Sequence, residues 1–462
     1  MNKSPKGTVI LLSLVNAAIF ATAVNATELT AFALMPANTF AVGPTSGQFA
    51  GTGSGNNALP LLSKQPVQGI SAVLQGPTRN TFYVMPDNGF GAKNNSADSL
   101  LRIYALKPDF KTWDGVSILG SGRVNPVNFY SGREIPEFNK NSFISLSDPN
   151  HKLGFETVAA QANYPNGNNT IPIDPSIIAN RLLTGADFDI ESVRKDREGN
   201  LWFGEEFGPF LVETDKSGKV LRSEIKTPNI VPLGSTATGP EVQSPQNPYL
   251  GSDTPNLGQS RGFEGMAINP KGNKLYTLLE GTVTGDNAVN TTVNKNLRID
   301  EFNIKSQSYT GNNWLYLLDT NGTNIGDMTA INDHQLLVLE RNGSTATSPS
   351  TQPAPFKKIY LIDIAGVTNG GFVYKTELVD LMNIADPHDL NDDGNSLFTF
   401  PFVTIESVLP INSTTLLIIN DNNYPGVGGR DLNSDNNEFI KIKLDMPLDL
   451  ARSDNDDEDL HK

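Results

Sequence analysis

The chain has no cysteine among its 462 residues. That absence excludes disulfides, thiolate nucleophiles, zinc–thiolate centres and iron–sulfur clusters. Histidine is almost as scarce: His151, His334, His388 and His461 are the four present. No H-E-x-x-H pair occurs, so a histidine-bound zinc enzyme is not expected. The G-x-S-x-G elbow of serine hydrolases is missing too. Gly69-Ile-Ser71-Ala-Val73 comes nearest and lacks the second glycine. His388-Asp389 has no serine partner in a supporting context. No P-loop is found, nor a G-x-G-x-x-G between a strand and a helix, so no nucleotide cofactor is indicated. Charged residues are only 18%, with a net charge of −15 and no run of basic residues. A nucleic-acid backbone needs clustered Lys and Arg, so nucleic acid is not an expected partner.

Long hydrophobic runs are also lacking. The longest, Thr8 to Ala23, is too short to span a bilayer comfortably. It follows Lys3 and Lys6 and precedes Val24-Asn25-Ala26, with small residues where a signal peptidase needs them. The expectation is a signal peptide over residues 1–26, export to a periplasm or the medium, and no membrane span after cleavage. An extended segment over 27–65 and an acidic tail over 447–462 would flank one folded domain at 66–446.

What is present is a repeat. Its first element runs apolar, acidic or small, small, apolar. It recurs as Ile70-Ser-Ala-Val73, Ile190-Glu-Ser-Val193, Phe263-Glu-Gly-Met266, Gly326-Asp-Met-Thr329 and Ile405-Glu-Ser-Val408. A second element follows and ends in a carboxylate, at Asp87, Glu205, Glu280, Glu340 and Asp421. An amphipathic third strand and candidate fourth strands come next. The pattern predicts an all-β β-propeller with five clear blades. The first two units start 120 residues apart, and this long spacing predicts a sixth, divergent blade or a large insertion around 122–186.

The innermost strand of each propeller blade lines the channel, and the first element is the candidate for it. Glu191, Glu264, Asp327 and Glu406 would then converge on the axis, with Ser71 at the same register of the first unit. The acids that end the second elements would crowd the same mouth. Clustered carboxylates raise one another's pKa unless cations or guanidinium groups intervene. The pattern therefore points to a hard-cation site for Ca²⁺, with Mg²⁺ as the other choice, or to a carboxylate–guanidinium network using Arg261 and Arg341. The loops Asp389-Leu-Asn-Asp-Asp-Gly-Asn395 and Asp431-Leu-Asn-Ser-Asp-Asn-Asn437 open like calcium loops. Phe400 stands where the first would need a bidentate Glu, so an Asx-rich turn is the expectation there.

The motifs Asp189-Ile-Glu-Ser-Val193, Asn200-Leu-Trp-Phe-Gly-Glu-Glu-Phe-Gly-Pro209, Gly262-Phe-Glu-Gly-Met266 and Asn420-Asp-Asn-Asn-Tyr-Pro425 carry a resemblance. With Asp87-Asn-Gly-Phe-Gly91, Leu339-Glu-Arg-Asn342 and Thr404-Ile-Glu-Ser407, the chain from about 66 to 445 resembles the family called esterase-like activity of phytase. The resemblance implies an exported β-propeller with phosphomonoesterase or esterase activity. It also implies calcium held by Glu191, Glu264, Asp327 and Glu406, with Asp421 and Asn422 contributing. The expected function is a metal-dependent phosphoester hydrolase. It would be a monomer acting on a small phosphorylated substrate, with Arg261 and Arg341 clamping phosphate. A metal-dependent carboxylesterase or lactonase, and a calcium-stapled binding propeller, are the alternatives.

Overall fold

The computed structural model describes residues 27–51, 59–165, 170–289, 295–426 and 429–451. The expected leader, and the tail beyond residue 451, lie outside the described residues. What is described is all-β, with one short helix, Pro175–Asn180, and brief 3-10 turns. No described helix is long and apolar enough to cross a membrane.

Five antiparallel units follow one another. Unit I is Ile70–Gln75, Phe82–Pro86, Arg102–Asp109 and Arg123–Pro126. Unit II is Ile190–Lys195, Leu201–Glu205, Phe210–Thr214 and Ile225–Lys226. Unit III is Gly265–Ile268, Lys274–Leu278, Asn296–Asn303 and Ser308–Leu317. Unit IV is Asn324–Ala330, Gln335–Arg341, Lys357–Asp363 and Tyr374–Asp380. Unit V takes Thr404–Asn412, Thr415–Asp421 and Asn437–Lys443 from the end of the chain. Its fourth strand is Glu28–Met35, from the beginning.

The reason for this arrangement is burial. The strands are rich in Ile, Val, Leu and Phe on both faces, so a sheet with one solvated face cannot satisfy them. Each unit instead packs a neighbour on either side, and the apolar core is divided into layers between consecutive units. Phe203 and Ile190 meet Ala72 and Met85 between units II and I. Trp202 and Leu211 meet Phe263 and Phe302 between II and III. Tyr316 and Ile299 meet Val338 and Ile362 between III and IV. Leu337 and Ile359 meet Ile405 and Ile418 between IV and V. Leu417 and Phe439 meet Val73 and Phe82, closing the series at unit I. The first strands adjoin in the same cyclic order and so surround a common axis.

The segment between units I and II, residues 127–189, builds no four-stranded sheet of its own among the described residues. It adds Phe143–Ser145 to the edge of Arg102–Asp109 and a small apolar cluster around Tyr164 and Ile177.

Residues 28–35 lie ahead of the repeats, yet they carry part of the closure. Leu29, Ala33 and Met35 are fully buried, and the strand pairs with 437–443 from Glu28↔Lys443 to Met35↔Asn437. Deleting residues 28–35 bares an apolar edge. The expected result is an insoluble protein, or one without a cooperative urea transition. A truncated protein that unfolds at the wild-type urea midpoint would contradict this role.

Candidate metal centre

One end of the common axis, the mouth, carries two rings of residues, fixed by the register of the first two strands in every unit. The first strand carries an irregularity in four units, between Ile70 and Ala72, Ile190 and Ser192, Ile325 and Asp327, and Ile405 and Ser407. The skipped residues are Ser71, Glu191, Gly326 and Glu406. A bulge leaves one residue out of the ladder and re-aims its side chain. Glu264, just ahead of Gly265–Ile268, holds the matching place in unit III.

This register corrects the alignment expected for unit IV. Gly326, not Asp327, matches Glu191, Glu264 and Glu406. A β-carbon on Gly326 would stand 1.9 Å from the carbonyl oxygen of Ile405, so no side chain fits there. A shift of one residue turns a side chain to the other face. The Asp327 carboxylate accordingly takes Arg194 at 2.8 Å and the backbone N–H groups of Met328 and Val408.

The second ring is set in the same way. The pairs across each unit are Gly69 with Asp87, Asp189 with Glu206, Gly262 with Glu280, Asn324 with Arg341 and Thr404 with Asp421. In units II and IV the ring residue lies one beyond the acid expected from the sequence. Glu205 instead accepts the N–H groups of Phe207 and Gly208, both at 2.7 Å, and burial pushes it up to about 8. Glu340 is bound by Lys375, by the Tyr316 hydroxyl at 2.5 Å and by the N–H of Asp319 at 2.6 Å. Asn422 accepts the N–H of Gly69 at 3.0 Å and donates to Gln68 and to the Asp435 carbonyl. These three predicted ligands are occupied in holding loops.

Unit IV supplies the cation where it lacks the acid. Arg341 Nη2 reaches Glu264 and Glu406 at 3.0 Å each and Glu280 at 3.2 Å. Glu264 and Glu406 belong to the two units flanking unit IV. Burial raises both well above the usual carboxylate range, with Glu280 adding to the effect at Glu264 and Glu264 adding to it at Glu406. Ser71 donates to Glu406 at 3.1 Å. Arg261 pairs with Glu280 from the rim, its side chain 45% exposed.

Opposite Arg341, Asp189, Glu191 and Glu206 stand as a group. One carboxylate oxygen from each lies within 4.8 Å of the others, and all three residues are buried. Asp189 Oδ1 and Glu206 Oε1 have no hydrogen-bond partner among the described residues. Burial raises Asp189 to about 6. It lifts Glu191 well above the usual carboxylate range, and the charges of Asp189 and Glu264 add to the effect. Glu206 is raised in the same way, by burial and then by Glu280 and Asp189, with Arg261 opposing. Asp87 is pushed up by burial and by the facing Asp421. Carboxylates held at this cost, with unsatisfied oxygens converging, have the donor chemistry of a hard divalent cation and fit one.

Of the expected ligands, Glu191 joins this group, while Glu264, Glu280 and Glu406 are bound to Arg341. Asp189 and Glu206 were not expected. Their signals lay in the motifs themselves. Asp189 is two residues before Glu191, the strand period, and Glu206 is the second of two consecutive acids at a strand end.

A curated relative, called an uncharacterized secreted protein, from Arthroderma benhamiae, is 24% identical over 123 residues. The match covers 25% of this chain and 24% of that protein, so the chain spans about a quarter of the relative's length. Among solved structures, a GH43 β-1,3-galactosidase aligns over 80% of this chain and 88% of its own, with 13% identity and a TM-score of 0.38. An aldose sugar dehydrogenase from Streptomyces coelicolor aligns over 90% and 98%, with 9% identity and a TM-score of 0.32. The family model described as phytase-like, esterase-like activity of phytase, matches residues 65–424. That span holds both rings of the mouth, and the chain belongs to this family.

Proposed function

We propose that the protein is an exported, cation-dependent hydrolase of small phosphate esters, with the five units as the blades of one propeller. The observation that carries the reading is the convergence of Asp189, Glu191 and Glu206 with two unpartnered oxygens. These three residues would hold Ca²⁺, or Mg²⁺ in its place. The cation, when bound, supplies positive charge that offsets a phosphoryl oxygen and lowers the pKa of water. Arg261 is the guanidinium with an exposed end, so it is placed to orient an incoming phosphate. Arg341 is committed to three carboxylates and acts by positioning them. Glu264 and Glu406, both raised by burial, stand beside the centre. No Ser, Cys or His nucleophile is required. The family description also supports a second reading, in which the same centre cleaves carboxylic esters or lactones. Export rests on the composition of residues 1–26, and the Arthroderma benhamiae relative is called a secreted protein; a monomer is the simplest assembly.

The test is release of p-nitrophenol from p-nitrophenyl phosphate and from p-nitrophenyl acetate, each with calcium and with chelator. Calcium-dependent cleavage of the phosphate is the expected result. Cleavage of the acetate alone transfers the reading to the esterase. Silence on both, with calcium still raising the melting temperature, leaves a binding propeller whose cation only staples blades.

A further inference from the structure

Lys93 lies in the loop that leaves the second strand of unit I. The base of that loop is tied to the mouth. Asn88 stands against Asp189 and opposes the rise of its carboxyl. The Asn88 Oδ1 accepts the N–H groups of Phe90 and Gly91 and the hydroxyl of Ser96. The loop packs so closely on the turn before Asp189 that a β-carbon on Gly185 would stand 1.9 Å from the Asn88 carbonyl oxygen. Lys93 is therefore held, through its loop, against the residues that build the centre.

Its ammonium group is half-buried and has no hydrogen bond or ion pair among the described residues. It stands 5.2 Å from the ring centroid of Phe207, the neighbour of Glu206. Asp187 and Glu205 are the acids whose charge reaches it. Both are already engaged: Asp187 accepts the N–H groups of Val158 and Thr184 and the Thr184 hydroxyl, and Glu205 accepts from Phe207 and Gly208. A flexible lysine ordinarily carries its charge to water. This one instead faces a cleft of 460 Å³, walled by Phe155, Pro248 and Tyr249, with Gln161 as a neutral polar group. Glu156, the other acid of the cleft, is exposed at its rim.

We infer that Lys93 and this cleft form a subsite for an organic oxyanion. The ammonium receives a phosphate or carboxylate group of the substrate, and the Phe155–Tyr249 wall covers its carbon skeleton. The assignment rests on the hydrolase reading only for calling the ligand a substrate. A half-buried cation held only over an aromatic ring, with no hydrogen bond or ion pair among the described residues, gains a charge-assisted bond when the anion arrives. The substrate class that follows is an ester with an anionic group beside an apolar or aromatic moiety.

The probe is phenylphosphonate, a non-cleavable aromatic oxyanion, titrated calorimetrically into the full protein with EDTA and then with calcium. Benzyl alcohol is the neutral control. Wild type should bind phenylphosphonate even in EDTA, where the carboxylate centre holds no cation. Lys93→Ala should bind it at least about tenfold more weakly, with an unchanged melting temperature. Lys93→Arg should stay within about threefold of wild type, and benzyl alcohol should not distinguish the three. Equal affinity in wild type and Lys93→Ala, or no binding to wild type in either buffer, overturns the subsite. Lys93-dependent binding by a protein that cleaves neither nitrophenyl ester keeps the subsite and removes the hydrolase. Calcium-dependent phosphate cleavage with the same KM in Lys93→Ala does the reverse.

Discussion

Replacing Arg341 with methionine should destabilise the protein by about 3–5 kcal/mol, the range for removing one side of a buried ion pair. The expectation follows from where the guanidinium sits. It is buried, and one of its nitrogens meets carboxylates from units III and V at once. Methionine matches the length of the stem but leaves Glu264, Glu280 and Glu406 facing one another with no cation between them. Their desolvation is then uncompensated, and their mutual repulsion acts at low dielectric. Urea unfolding at neutral pH reads the loss. Adding Glu406→Gln to Arg341→Met should recover part of it, because residues in one network are not additive. A loss under 1 kcal/mol would mean that the mouth tolerates its carboxylates without Arg341.

The second large effect is a reversal of sign. In EDTA, Glu206→Gln should stabilise the protein, on the order of 1 kcal/mol. The amide keeps the shape and removes one of three adjoining buried carboxylates, each already pushed toward its neutral form. In calcium the ranking should invert. A cation present at about 100 times its dissociation constant stabilises the form that binds it by about 2.7 kcal/mol, and the variant forgoes that gain. Calcium-dependent hydrolysis should fall at least about 100-fold. Melting curves of both proteins in both buffers are sufficient. If Glu206→Gln is less stable than wild type in EDTA, Glu206 is a structural acid with a partner of its own. If calcium raises both melting temperatures equally, the cation lies elsewhere.

The repeat was legible because each unit repeats the same apolar strands, and a sheet buried on both faces writes its strands as nearly continuous Val, Ile, Leu and Phe. The fourth strand of unit V was not legible there, because it is Glu28–Met35, at the opposite end of the sequence. Glu191, Glu264 and Glu406 could be placed at one register from their flanking residues alone. Gly326 could not. A glycine offers no pattern to align, and the acid beside it drew the alignment one position on. Glu205-Glu206 and Glu340-Arg341 pose the same problem. In each pair the sequence holds two polar residues at a strand end, and only the hydrogen-bonded partner across the ladder decides which one enters the mouth. Charge content was readable from composition; which charges meet was decided by strand register.

The pairing of residues 28–35 with 437–443 also orders events in time. The first strand to leave the ribosome cannot find its ladder partner until nearly the whole chain has been made. Joining residue 28 to residue 443 carries a loop-closure entropy of roughly 5 kcal/mol beyond a constant, so the bond between the two ends is made late, when the other units have already shortened the distance. Until then both flanking apolar layers stand open, and unit V is a three-stranded sheet with a bare edge. The clasp that completes the series is thus made before every other strand of the five units and seated after them, and the nascent chain carries it unpaired until residues 437–443 have been added.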